Sequence, residues 1–129
     1  MGLEYEMHKM DLEIINWTEE HFQRVARRSQ VLHGNRHVLP VAVVIAERGL
    51  EIATSHEIDI ALGGHLASNR VLKGLEWLCE MDVMRELPYP GRPNPRMFER
   101  RDSPYWSFAE QFSGDSAEAE SQPRARGLT

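Results

Sequence analysis

The sequence predicts a mainly α-helical α+β domain in which a small β-hairpin follows a run of helices. Three observations predict it. Apolar residues recur at helical spacing through residues 18–33 and again through 68–81. Residues 83–87 instead read as an alternation of apolar and charged side chains, the pattern of a half-buried strand, and residues 97–101 can pair back with them. Between them, Pro88–Arg96 carries four prolines and a glycine, a composition that neither a helix nor a central strand accepts.

The elements are justified in chain order. Leu3, Met7, Met10, Ile14 and Trp17 are spaced 4-3-4-3, one face of a helix but too short a run for a coiled coil. Thr18 is placed to cap the next helix, with Glu19 and Glu20 in its first turn favoured by the dipole. Trp17 and Phe22 fit a hydrophobic staple across that cap. Phe22, Val25, Ala26 and Leu32 continue the stripe, and His33-Gly34-Asn35 ends it. Residues 36–48 (RHVLPVAVVIAER) are apolar on all sides. Their β-branched content would suit a buried strand. Pro40 is tolerated in a first helical turn, however, and the succession of elements after residue 48 favours a buried helix closed by Gly49.

Thr54-Ser55-His56-Glu57 is a capping box opening a short helix of residues 55–62, which Gly63-Gly64 breaks. The helix of residues 68–81 has Val71, Leu72, Leu75, Leu78 and Cys79 on one side and Asn69, Arg70, Lys73, Glu76 and Glu80 on the other. After the two strands, Ser103-Pro104 is an N-cap followed by proline at N1, opening a last helix with Tyr105, Trp106, Ala109 and Phe112 as its apolar face. The organisation expected is an N-terminal helical extension (1–34), a central domain (35–101), a C-terminal helix (102–112) and a disordered tail (113–129) too poor in apolar residues to order itself.

Composition narrows function. No apolar run approaches the ~20 residues of a membrane span, and the acidic N-terminus has no apolar signal core. With Cys79 the only cysteine no internal disulfide forms, so a cytoplasmic location is expected. No phosphate loop, nucleophile elbow, HExxH or paired CxxC is present, so no enzyme and no cofactor are expected. His33 and His37 are four apart, but Gly34 and Pro40 argue against one helix across them, and no metal site is expected. Trp77 and Trp106 could stack a ligand, although aromatics at helical spacing usually belong to a core. Net charge is -5, yet residues 67–101 hold seven bases against five acids, and phosphate binding needs a basic face rather than a basic protein.

The order helix, helix, tight turn, helix, strand, Pro-rich loop, strand, helix resembles winged helix-turn-helix regulators of the MarR, ArsR and PadR type, with flanking N- and C-terminal helices. The resemblance spans about residues 35–112 and is best in SNRVLKGLEWLCEMDVMREL, residues 68–87. Val71, Leu75, Leu78 and Val83 fill the apolar places of the family pattern, and Asp82 stands where glycine is usual. Asp is among the few side chains that tolerate positive φ. The GGHLA turn is a residue or two longer than usual.

The resemblance implies sequence-specific binding of double-stranded DNA by a transcriptional regulator. The helix of residues 68–81 would enter the major groove, presenting Ser68, Asn69, Arg70 and Lys73 to base edges. The capped Thr54 would donate to phosphate, and Arg92, Arg96 and Arg100 on and behind the wing (88–96) would reach backbone or minor groove. The apolar stripes outside the wing domain imply a homodimer. An unknown protein or small-molecule effector is compatible with the resemblance. The competing expectation is a winged helix that docks on proteins, for which Tyr89 and the prolines of the loop would be suited.

Overall fold

A computed structural model describes residues 16–113. Leu3, Met7, Met10 and Ile14 of the N-terminal stripe, and the expected tail from residue 114 onward, lie outside the described residues. The fold is α+β, with five helices and a three-stranded antiparallel sheet among the described residues. In chain order these are α1 (Glu19–His33), α2 (Val38–Arg48), β1 (Ile52–Ala53), α3 (Ser55–Ala61), α4 (Ser68–Glu80), β2 (Met84–Glu86), β3 (Phe98–Arg100) and α5 (Pro104–Glu110).

The α2 helix is the centre of the core. Every residue from Val38 through Ala46 is buried, and α1, α3, α4 and α5 all pack on it. Its β-branched sequence loses at most ~0.7 kcal/mol per residue in helix propensity. Burying each valine, leucine or isoleucine gains about 1.5–3 kcal/mol. The position therefore overrides the strand preference, and the buried helix expected from the sequence forms. Asn35 caps it: its Oδ1 accepts the N–H groups of His37 and Val38 at 2.8 and 3.1 Å. The C-terminal end turns through Gly49 at φ 62°.

The first helix begins and ends where the sequence puts it, at the Thr18 cap and at Gly34 in the left-handed region with φ 78°. Its buried face is closed by Ser29, whose hydroxyl accepts the Leu39 N–H at 3.0 Å. Beyond Ser29 the helix leaves the core. Leu32, expected on the apolar stripe, is 49% exposed and Val31 is 85% exposed.

Trp17, Phe22 and Trp106 are buried in the same core as α2. Of the flanking stripes, these three residues therefore pack within the chain's own core. Trp17 is fixed further by its N–H to the Ala61 carbonyl (3.0 Å) and its indole N–H to Glu47 Oε2 (2.8 Å).

The sheet holds one strand more than the alternation predicts. Its order is β1-β3-β2, with Ala53 opposite Phe98 and Arg85 opposite Glu99. At two residues β1 is too short to display a period of two. It exists because β3 offers it an edge, and the buried Ala53 and Phe98 lie side by side there.

The α2 and α4 helices approach closely. A Cβ on Gly74 would lie 2.9 Å from Val41 Cγ2 and 3.2 Å from the His37 carbonyl oxygen. Both neighbours are rigid, one a fully buried branched side chain and the other backbone. Replacing a mid-helix glycine by alanine ordinarily gains about 1 kcal/mol of propensity; here the clash offsets that gain. Gly74→Leu is expected to lower unfolding free energy by about 1–3 kcal/mol through overpacking. Gly74→Ala should come out close to wild type or below it. Urea titrations of the two variants check this, and stabilisation by alanine would show that the helices can separate freely.

Candidate nucleic-acid interface

The capping box of α3 forms as expected: Thr54 Oγ1 accepts the Glu57 N–H at 3.3 Å, and Glu57 Oε1 accepts the Thr54 N–H at 3.2 Å. The Thr54 hydroxyl keeps its own proton to donate. Ile58 and Ala61 hold α3 to the core. The turn to α4 runs through Gly63 at φ 69°, where a Cβ would come within 2.8 Å of the Trp17 carbonyl oxygen. Only glycine fits there, because the chain passes directly under the start of α1.

The fourth helix buries Val71, Gly74, Leu75 and Leu78. Leu72 and Cys79, expected with them, are half-buried at the margin, and burial pushes the Cys79 thiol up from its ordinary pKa. The opposite face exposes Asn69, Arg70, Lys73, Glu76, Trp77 and Glu80. Ser68 begins the helix, and its hydroxyl donates to Asp59 Oδ2 at 3.2 Å, tying the first turn of α4 to α3. Arg70 and Lys73 form no ion pair among the described residues. The face is thus polarised, with cations in its first half and carboxylates in its second.

Two further groups join the cationic half. The His37 imidazole is held below its ordinary pKa, first by burial and then by the charges of Arg70, Arg36 and Lys73. Its Nδ1 is buried without a hydrogen-bond partner among the described residues. Arg36 is steadied by Gln23, whose Oε1 accepts from Nη2 at 2.6 Å. Neither residue was singled out from the sequence as an interface group. No local signal marks them, since they lie more than thirty positions from Arg70 and meet it only because α2 crosses α4 closely at Gly74.

The β2–β3 connection divides its arginines. Arg92 is exposed and forms no ion pair among the described residues. Arg96 is held by both carboxylate oxygens of Glu86 (2.7 and 2.8 Å) and by Glu76 (3.2 Å), with its guanidinium 5.3 Å from the Phe98 ring centroid. These partners raise its pKa further and lower that of Glu86. Arg96, expected to reach backbone or minor groove, is instead matched by these acids as a strut between α4 and the hairpin. Arg100 lies over Trp106 at 5.4 Å, half-buried. Arg85 pairs with Glu99 at 2.6 Å and Arg101 with Asp82 at 3.5 Å. Asp82 has φ 67°, the left-handed conformation expected of the residue in its place.

Trp106 is core, its indole N–H donating to the Arg101 carbonyl at 2.8 Å, whereas Trp77 is 43% exposed. His33 ends α1 and His37 precedes α2, and His33 Nε2 lies 3.0 Å from the Tyr105 hydroxyl. Comparison with family models, curated proteins and solved structures finds no match for the chain.

Burial also lowers the pKa of His21 and His33; at His21 the Arg24 charge adds to it. A histidine whose folded pKa is depressed is protonated first in the unfolded chain. Stability then falls as pH drops below about 6.5 towards the folded pKa values. The urea midpoint is expected to be lower at pH 5.5 than at pH 7.5, and His37→Gln should reduce the difference. An equal midpoint at both values would mean that the three imidazoles are solvated.

Proposed function

We propose that the chain is a winged helix-turn-helix protein that binds double-stranded DNA with the first half of α4 in the major groove. The observation that carries this reading is that Arg70 and Lys73 stand exposed on α4 beside the start of α2, where the His37 carbonyl lies against Gly74. Arg70 and Lys73 have no ion pair among the described residues and stand on a helix whose opposite face is fixed in the core. Cations so placed on a rigid helix offer phosphate and base contacts at little ordering cost. Asn side chains can bond adenine and Arg side chains guanine in bidentate fashion, and Asn69 and Arg70 would act so here. The carboxylates Glu76 and Glu80 repel phosphate, so the helix would dock by its N-terminal turns. Arg92 would contact the adjacent backbone, while Arg96 holds the hairpin against α4. Helix-turn-helix order followed by a hairpin supports a role in transcription regulation by fold-level analogy.

A second reading, docking on a protein, is favoured by Tyr89 and Trp77, which are 46% and 43% exposed, and by the neutralised Arg96. DNA titrations at several salt concentrations separate the two. Affinity should fall steeply with salt, because each neutralised phosphate releases counterions. Arg70→Ala should cost roughly 1–3 kcal/mol at a specific site. Arg92→Ala should flatten the log–log salt slope by about one unit for any sequence. Arg96→Ala should leave the slope unchanged, its charge being already matched by Glu86. Absence of binding to any duplex at low salt would overturn the DNA reading and leave the protein-docking one.

A further inference from the structure

The exposed face of α4 carries more than cations. Arg70 and Lys73 lie towards its N-terminal end, Trp77 and Glu80 towards its C-terminal end, and all four are exposed. Arg70, Lys73 and Glu80 form no ion pair among the described residues, whereas Glu76 is engaged by Arg96 at 3.2 Å. Trp77 is 43% exposed. It stands at the rim of a hollow of about 730 Å³ between α4 and the hairpin, lined also by Glu80, Glu86 and Arg96. The face thus presents an open indole between unpaired charges of both signs.

We propose that this face docks on the same face of a second copy of the chain, with the two α4 helices antiparallel. The order of the side chains selects that occupant. Arg70 and Glu80 are placed symmetrically about position 75, and so are Lys73 and Trp77. With a two-fold axis at the level of Leu75, each Arg70 comes level with Glu80 of the second copy, and each Lys73 level with its Trp77. One axis therefore satisfies both pairs, as an isologous interface requires. Two ion pairs about 15 Å apart, the rise of ten helical residues, bracket two contacts of a cation with an aromatic ring. A nucleic acid matches only the cationic half of this face; a second copy matches both halves. A contact one helix wide is small for a stable dimer and its charges are exposed, so the pairing is weak and screened by salt. Paired copies hide Arg70 and Lys73, which closes this face to DNA. That consequence rests on the DNA reading; the pairing itself does not.

Sedimentation equilibrium of the full chain without DNA, up to about 1 mM, where a weak contact is populated, tests the pairing. At about 0.1 M salt the Debye length of roughly 10 Å screens whole molecules from one another but not charges in contact, and at about 1 M it is roughly 3 Å. A concentration-dependent dimer is expected at the lower salt, with an association constant about tenfold smaller at the higher. Arg70→Glu and Glu80→Arg each set like charges together at both ends of the contact, and each should lower association about tenfold or more. An equimolar mixture of the two variants should regain it, because a heterodimer holds an unlike pair at each end. Trp77→Ala should weaken it as well. All three positions are exposed, and circular dichroism confirms that each variant is folded. A monomer at every concentration overturns the proposal. Association that ignores both charge reversals also overturns it, by showing that copies meet elsewhere, and so does a mixture that associates no better than its components. No DNA enters the experiment, so its outcome does not depend on whether the chain binds DNA.

Discussion

The burial of α2 is the constraint on which the rest of the molecule depends. Nine consecutive residues, Val38 through Ala46, are withdrawn from water. A helix that is apolar all round must be enclosed on every side, and α1, α3, α4 and α5 enclose it. The short helices α3 and α5, with seven residues each, are below the length at which a helix is stable alone. They persist because each has a face on this core and a side-chain cap, Thr54 for one and Ser103 for the other.

The same constraint shapes the surface. Gly74 lets α4 approach α2 until a Cβ would touch the His37 carbonyl. That approach brings the start of α2, with Arg36 and His37, beside Arg70 and Lys73. A bulkier residue at 74 would separate the two cationic segments as well as loosen the core. Packing and electrostatics are therefore coupled at one residue that carries no charge itself.

Charge on this chain is informative only once partners are known. Seven bases lie between residues 67 and 101, but Arg85, Arg96 and Arg101 pair with acids brought to them by the hairpin and the turn before it. Arg100 rests on an indole ring. Arg70, Lys73 and Arg92 remain without an ion pair among the described residues. A phosphate surface built from the three paired arginines would be far weaker than their number suggests, since exposed pairs of this kind add little stability but do cancel local field.

The sequence by itself determined the local signals: the Thr18, Thr54 and Ser103 caps, the Gly34 and Gly49 stops, the left-handed Asp82, and the two short strands on either side of a Pro-rich loop. Each is a matter of near neighbours in the chain, where backbone geometry and capping act. It also determined that α2 must be buried, because no face of it is polar. Only the tertiary structure decided the rest. The two-residue β1 forms against an edge supplied by a strand far along the chain. Leu32 falls outside the core because α1 outruns it. Arg36 and His37 join Arg70 through a helix crossing, and Arg96 is neutralised by Glu76 and Glu86 on two other elements. Those outcomes depend on distances between segments far apart in sequence, which periodicity does not encode and which are fixed by the packing of the elements on α2.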